Sequence, residues 1–201
     1  MSELSLGTLS GLAANSYVVD VASGSTLDLS NATGLPASAL PAGSILQVVS
    51  TTKTDTFSAS IGAGSFSSNV TGLEATITPS ATTSKFLVMV NVTGSATSNF
   101  GLAGGRLVRD GTPIAVGDAD GSRSSLTMYS RNTMANANIV LNASTEFLDS
   151  PNANSPVTYG FQIWNAGTAT ATVNLNQSNA DTNYASAPRT VSSITVMEVA
   201  G

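Results

Sequence analysis

The 201-residue chain contains no cysteine and no histidine, and charged residues make up only 9% of it. Histidine is the side chain whose unperturbed pKa lies nearest neutrality, and cysteine is the strongest ordinary nucleophile. Their joint absence excludes disulfide scaffolds, Ser–His hydrolases and most soft-metal sites. We therefore expect a structural or binding protein rather than an enzyme, with no catalytic residues and no cofactor.

Positive charge is also scarce. The chain has seven lysines and arginines against twelve acidic residues, a net charge of −5, and its first 52 residues contain no cation. Because nucleic-acid-binding proteins usually present a basic stripe to phosphates, we expect no nucleic-acid partner. No segment approaches the roughly 20 apolar residues that span a bilayer, so we expect no membrane insertion. The N-terminus lacks a secretory signal pattern, which favours folding in a bacterial or host cytoplasm.

The abundant residues, namely Ser, Thr, Asn, Ala, Gly and Val, favour strands and turns over helix interiors. Apolar or alternating runs, separated by turn-forming residues, predict a series of short strands. These runs are Ile45–Val49, Leu73–Thr78, Phe86–Val92, Arg106–Asp110, Pro113–Val116, Leu126–Ser130, Asn138–Leu148, Val157–Trp164, Thr170–Asn176 and Ser192–Val199. We predict an all-β fold, an antiparallel β-sandwich of jelly-roll-like type.

Side-chain patterns in three of these segments predict local structure. Phe86–Val92 is apolar on both faces, which is typical of a central strand covered on both sides. Val157–Trp164 alternates between apolar and polar residues, which predicts a strand with one solvent face. The pair Asp110-Gly111 predicts a two-residue hairpin loop, because a type I′ turn needs positive φ at both central positions.

Residues 1–44 differ from the rest of the chain. They contain the short apolar strips Tyr17–Val21 and Ser25–Leu29, followed by a segment with Pro36 and Pro41. Each proline restricts its own φ and favours extended geometry before it, so we predict a stiff, strand-like segment. Such isolated strips cannot bury themselves. They must lie against another copy of the chain, its own globular part or a host particle, so we divide the chain into an extended segment at residues 1–44 and a sandwich domain at residues 45–201.

Gly117–Arg123 is the place where two carboxylates, a glycine and a cation come together in the sequence. Asp118 and Asp120 resemble the start of a calcium-binding loop, which supplies oxygen ligands at alternate positions. The similarity fails further along, because Tyr129 stands where that loop has its bidentate glutamate. The alternative is a turn in which an aspartate pairs with the following arginine. Asp118 and Asp120 are therefore weak metal candidates, and we predict no metal site.

Two further sets of residues have a chemical and a structural interpretation. Glu146 and Asp149 are close enough in sequence to suggest a glycosidase pair, but we expect solvated residues where a strand runs into Pro151. Trp164-Asn165 and Tyr184 could contact a sugar, although Trp164 continues an apolar face and is expected in the core. The loops expected to bind hydroxyl groups are 94–105, 117–124 and 177–188.

Five blocks in a fixed order carry a resemblance to a known group. They are GLPASALPAGSILQVVSTTKTDTFS, VTGLEATITPSATTSKFLVMVNV, RLVRDGTPIAVGDADGSR, EFLDSP and APRTVSSITVMEVAG. Over about residues 33–201, this succession resembles the tail-fibre-like and fibre-tip (knob) virion proteins of marine and aquatic bacteriophages.

That resemblance implies a homotrimer located in the virion, with a β-rich knob exposed on the particle and involved in host attachment. Residues 1–44 would form the anchoring and trimerisation segment that attaches to a capsid or tail protein, and the knob would contact a host surface glycan. Only about 44 residues precede the knob, which raises the alternative of a capsid head fibre or decoration protein without a receptor role. From the residues alone, a carbohydrate-binding module is the other alternative.

Overall fold

The chain folds into two antiparallel β-sheets, as the strand-and-turn pattern predicts. The computed structural model describes residues 40–96, 101–132 and 138–201, so most of the predicted anchoring segment lies outside the described residues. No helix in these ranges is long and apolar enough to cross a membrane. The strands are β1 (Ile45–Lys53), β2 (Phe57–Ile61), β3 (Glu74–Ile77), β4 (Lys85–Ala96), β5 (Gly101–Arg109), β6 (Thr112–Ile114), β7 (Met128–Asn132), β8 (Leu141–Asp149), β9 (Val157–Ile163), β10 (Ala171–Leu175) and β11 (Ser192–Val199).

The six-stranded sheet is built around the long strand β4. One side of β4 pairs with β8, which is an edge strand. Its other side pairs with β11 along Lys85–Asn91 and with β10 along Gly94–Ala96, so these two strands lie end to end. The opposite edge consists of β1 on β11 and β2 on β10. Residues 54–56 separate β1 from β2, so consecutive segments of the chain form this edge.

The five-stranded sheet has the order β3, β9, β5, with β6 and β7 both on the far side of β5. The β5–β6 hairpin confirms the sequence prediction: Arg109 pairs with Thr112, and the two loop residues have φ values of 49° at Asp110 and 81° at Gly111. Glycine and aspartate are among the residues that tolerate this left-handed region best.

The hydrophobic core lies between the inner faces of the two sheets. Every second residue of β4, β9 and β11 enters it, because successive side chains of a strand point to opposite faces. Phe86 and Tyr159 meet edge to face across the core, with ring centroids 6.0 Å apart. The other fully buried large residues are Phe161, Leu73, Ile77, Leu107, Leu175, Ile194, Val70, Val88 and Val90.

Three local predictions need correction. The sequence pattern does not predict strand β2, because its segment FSASI is short and consists mostly of residues with small side chains. Phe86–Val92 is central in its sheet, but only one face is fully covered: Leu87, Met89 and Asn91 on the other face are partly exposed. The predicted loop 94–105 is largely strand, because β4 continues to Ala96 and β5 begins at Gly101; residues 97–100 lie outside the described residues.

Glu198 is a carboxylate buried completely on the inner side of β11. It accepts hydrogen bonds from Gln47 Nε2 at 2.5 Å, from the Ser80 backbone N–H at 2.6 Å and from Ser80 Oγ at 3.0 Å. Burial alone would raise the pKa of Glu198, but the hydroxyl, amide and backbone donors around it outweigh burial and hold the pKa below its ordinary value. The ionised carboxylate therefore ties β1 and the Ser80 turn to β11.

Replacing Glu198 with glutamine tests this connection. Because the folded-state pKa is lowered, the carboxylate stabilises the fold above the unfolded pKa of about 4.3, and this contribution is lost as the pH falls through the folded value. We predict that Glu198→Gln lowers the unfolding free energy at pH 7 by about 1–3 kcal/mol. We also predict a flatter decline in stability below about pH 5 than in the natural chain.

The measurement is urea unfolding followed by circular dichroism between neutral and acidic pH. Asp118→Asn is the control, because Asp118 is an exposed acid and its replacement should change stability by less than about 0.5 kcal/mol. An unchanged pH profile in Glu198→Gln would show that this carboxylate does not stabilise the fold.

Candidate functional site

The outer face of the five-stranded sheet carries two aromatic rings on either side of β5. Tyr129 belongs to β7, and Trp164 follows β9 and donates its backbone N–H to Gly104 O at 3.1 Å. The two rings meet edge to face with centroids 5.6 Å apart. A Cβ at Gly104 would lie 2.9 Å from Tyr129 Cδ2, so glycine is required for the tyrosine ring to lie across β5.

Polar and cationic groups continue this surface away from Tyr129. Phe66 forms a β-bridge with Trp164, and the Arg106 guanidinium carbon lies 3.9 Å from the centroid of the Phe66 ring. Arg106 Nε donates to Gln162 Oε1 at 2.8 Å, and Gln162 Nε2 donates to Asn69 Oδ1 at 3.0 Å. Each of these side chains is thereby held in a defined orientation on the sheet.

We call Tyr129, Trp164, Phe66, Arg106 and Gln162 the aromatic platform. Tyr129 is 44% exposed, whereas the indole nitrogen of Trp164 is buried, so the open part of the platform consists of the tyrosine ring and the partly exposed polar groups beside it. Aromatic rings offer flat apolar area, whereas guanidinium and amide groups offer directional hydrogen bonds. The platform can therefore bind a ligand that has one apolar face and several hydroxyl groups.

The outer face of the six-stranded sheet is the second candidate surface. Val48, Met197, Leu87 and Leu148 lie opposite one another on β1, β11, β4 and β8 and form what we call the apolar row. Beyond it the face becomes polar. A shallow depression of about 510 Å³ lies there, lined on this face by Met89, Asn91, Ser144, Glu146, Ser193 and Thr195.

The two weak metal candidates are exposed loop residues. Asp120 pairs with Arg123 through a 2.5 Å contact in which both side chains are more than 70% exposed, and Asp118 is also exposed. In residues 40–96, 101–132 and 138–201 no three acidic side chains come together as metal ligands. The geometry of this loop is therefore that of a turn with an aspartate–arginine pair.

Glu146 and Asp149 lie on opposite faces of β8, so they cannot act on one substrate. Glu146 is exposed on the outer face. The prediction of a solvated turn residue is wrong for Asp149, which is 6% exposed and forms the end of the strand. Its carboxylate accepts hydrogen bonds from Tyr159 OH at 2.6 Å and from Arg109 Nη1 at 2.8 and 2.9 Å.

We call Asp149, Arg109 and Tyr159 the inter-sheet clamp, because β8 belongs to one sheet and β5 and β9 to the other. Burial, reinforced by the hydrogen bond to Asp149, raises the pKa of Tyr159 far above its ordinary value. The phenol thus stays protonated and donates to the carboxylate over the whole physiological range of pH.

The residues predicted to contact sugar have different environments. Asn165 is fully buried, and its amide donates to Ile61 O at 2.8 Å and to Ala169 O at 2.9 Å, so it stabilises a turn. Trp164 is neither a core residue nor fully exposed. Tyr184 is 64% exposed at a cleft of about 450 Å³, beside an ion pair between Arg189 and Asp181.

The sequence reasoning missed Tyr129, Phe66 and Arg106 as partners of Trp164. Their alignment depends on the pairing of β7 and β9 with β5, which no local pattern records. The adjacent glycines Gly104-Gly105 inside an apolar segment are the one available signal, because glycine in a strand often marks a close approach by another group.

A scan against protein-family models finds no match for this chain, and a search of curated proteins finds no significant relative.

Removing the phenol hydroxyl tests the inter-sheet clamp. Tyr159→Phe leaves the ring in the core but removes one hydrogen bond to a buried carboxylate, so we predict a fall of about 1–3 kcal/mol in the unfolding free energy. Tyr129→Phe is the matched control and should change it by less than about 0.5 kcal/mol. Chemical denaturation measures both values. Equal stability of the two variants would show that the hydrogen bond from Tyr159 to Asp149 does not stabilise the fold.

Proposed function

We propose that this protein is a structural protein of a bacteriophage virion. It forms a short trimeric fibre or knob that is exposed on the particle surface and is involved in host attachment. Residues 1–44 bind a capsid or tail protein, and residues 45–201 form the outward-facing sandwich, of jelly-roll-like topology. The ordered sequence blocks that resemble fibre-tip proteins support this assignment, as does the all-β fold of two antiparallel sheets.

The observation that carries the proposal is the apolar row. Val48 and Leu148, at its two ends, are 54% and 50% exposed, and the row continues across four strands. A continuous apolar strip of this kind is typical of surfaces that contact other proteins. The row therefore favours a chain whose role is assembly.

The buried carboxylates also favour a structural role. Asp149 holds the two sheets together, and Glu198 holds β1 and the Ser80 turn, so each is occupied by contacts within the fold. Catalytic carboxylates in hydrolases, in contrast, face a substrate cleft. We propose that the protein is not an enzyme and that it needs no cofactor.

Labelling of phage particles tests the virion assignment. With antibody against the sandwich domain and electron microscopy, we predict label at one fixed position on purified particles. Label on the head would identify a head fibre or decoration protein, and label on the tail a tail fibre tip. Particles that carry no label would contradict the proposal.

Deleting residues 1–30 tests the division of roles within the chain. The described strands all begin after this segment, so we predict that the truncated protein stays folded and soluble but is absent from particles. Circular dichroism reports folding, and mass spectrometry of purified particles reports incorporation. Normal incorporation of the truncated protein would show that residues 1–30 are not the anchor.

Carbohydrate recognition is the second candidate function, and the aromatic platform favours it. A sugar ring presents an apolar face to aromatic side chains and hydroxyl groups to amides and guanidinium groups, which is the combination found at Tyr129, Gln162 and Arg106. On a virion knob this surface would contact a host surface glycan.

A glycan array comparing three proteins tests the platform. We predict that Tyr129→Ala weakens binding to a host polysaccharide by about tenfold, which corresponds to about 1.4 kcal/mol. Tyr184→Ala is the control, since it removes a tyrosine that is 64% exposed elsewhere on the surface. The opposite ranking would place recognition at the Tyr184 cleft, and no binding by the unaltered protein would favour a decoration protein without a receptor role.

A further inference from the structure

The apolar row extends from one edge strand of the six-stranded sheet, β1, to the other, β8, among the strands that the structure describes. Val48 lies opposite Met197, Met197 opposite Leu87, and Leu87 opposite Leu148. Strands lie about 4.8 Å apart, so the row is about 14 Å long. Its two end residues are its most exposed members, and they belong to β1 and β8, the edge strands. The least covered apolar groups therefore lie where a neighbour could approach the sheet.

At this end of the sheet, two carboxylates are buried on the inner face while apolar side chains are exposed on the outer face. The inner row next to the apolar row contains Phe86 flanked by two carboxylates, Glu198 and Asp149, which pair with it in register. Carboxylates thus lie inside, where they need fixed hydrogen bonds, while Val48 and Leu148 lie outside. A single solvated chain gains stability from the buried carboxylates but leaves Val48 and Leu148 in water, whereas a chain whose outer face is covered buries apolar area on both sides of the sheet.

The outer residues of the two edge strands, β1 and β8, complement each other row by row. In the same register as Val48 and Leu148, the next outer rows place Ser50 level with Glu146 and Thr52 level with Ser144. Rotating a second copy about an axis parallel to the strands does not shift its residues along the strand direction, so each outer row of one copy stays level with the same row of the other. Apolar groups then meet apolar groups, and a hydroxyl donor meets a carboxylate.

Strand direction fits the same arrangement. Each neighbouring pair from β1 through β11 and β4 to β8 is antiparallel, so β1 and β8 run in opposite directions. A copy related by such an axis therefore presents its β8 antiparallel to β1. The outer residues of β1, from Val48 to Thr52, include no acidic group that would repel Glu146.

We propose that copies of this chain join through these edges, with β1 of one copy beside β8 of the next and the apolar rows forming one continuous belt. Contacts of this head-to-tail kind close into a ring when the rotation allows it. With the trimer of the proposed function, on which this inference rests, the ring contains three copies. The partner that covers the apolar row is a second copy of the same chain.

Paired cysteines test this contact directly, because the natural chain has none. In a Val48→Cys, Leu148→Cys double variant, mild oxidation should produce covalently linked dimers and trimers on a non-reducing gel. Within one chain the two positions are about 14 Å apart, beyond the roughly 7 Å that a disulfide can bridge between Cα atoms. Each single variant should stay unlinked. Dimers from a single variant would indicate a twofold contact, and an unlinked double variant would show that the edges do not meet; either result overturns the proposal.

A charge placed on the row provides a second measurement. Leu148→Asp should convert the trimer to a monomer in light scattering while leaving the circular dichroism spectrum unchanged. Val191→Asp, at a valine that is 48% exposed outside the row, is the matched control and should leave the trimer intact. A Leu148→Asp protein that remains trimeric overturns the proposed contact.

The two proposals fail in distinguishable ways. Labelled particles together with an unlinked double variant would leave the virion role in place and reject this contact surface. Efficient formation of linked trimers by a protein that is absent from particles would confirm the contact and reject the virion role.

Discussion

The structure depends on the alternation of side chains along β11 and β8, along β4 as far as Thr93, and along β1 after the irregularity between Ile45 and Gln47. Because each side chain faces either the core or the outer surface, the strand register determines both which side chains form the core and which lie on the outer face. In the row through Phe86 this register places Glu198 and Asp149 inside. The adjacent positions place Met197 and Leu148 outside. At this end of the sheet, the inner face thus carries the polar contacts that hold the sandwich together. The outer face carries the apolar side chains that we propose for assembly.

This arrangement connects stability with function. The carboxylate of Asp149 holds the five-stranded sheet through Tyr159 and Arg109, and Glu198 holds the Ser80 turn. These contacts order the strands whose outer residues form the apolar row. The aromatic platform, in contrast, lies on the outer face of the other sheet. One face is therefore left for the neighbouring copies that we propose, and the other for the glycan ligand that we propose.

Much of the fold could be predicted from the sequence, because alternation and turn chemistry are local properties. The hairpin at Asp110-Gly111 and the one-sided strand from Val157 follow from them directly. The clamp and the platform could not be predicted, since both depend on which strands become neighbours across and between the sheets. The prediction for Phe86–Val92 was wrong for a physical reason: its apolar outer residues suggested cover on both faces, and the part of the chain that the structure describes fully covers one. A neighbouring copy on the apolar row would supply the second.

The central claim is that the outer face of the six-stranded sheet is covered by other copies of the same chain. Native mass spectrometry of the intact, unaltered protein over a series of dilutions tests it most directly. The account predicts a species of three chains that dissociates only at the lowest concentrations, without a stable two-chain species. A single chain at every concentration, with the fold retained, would contradict it.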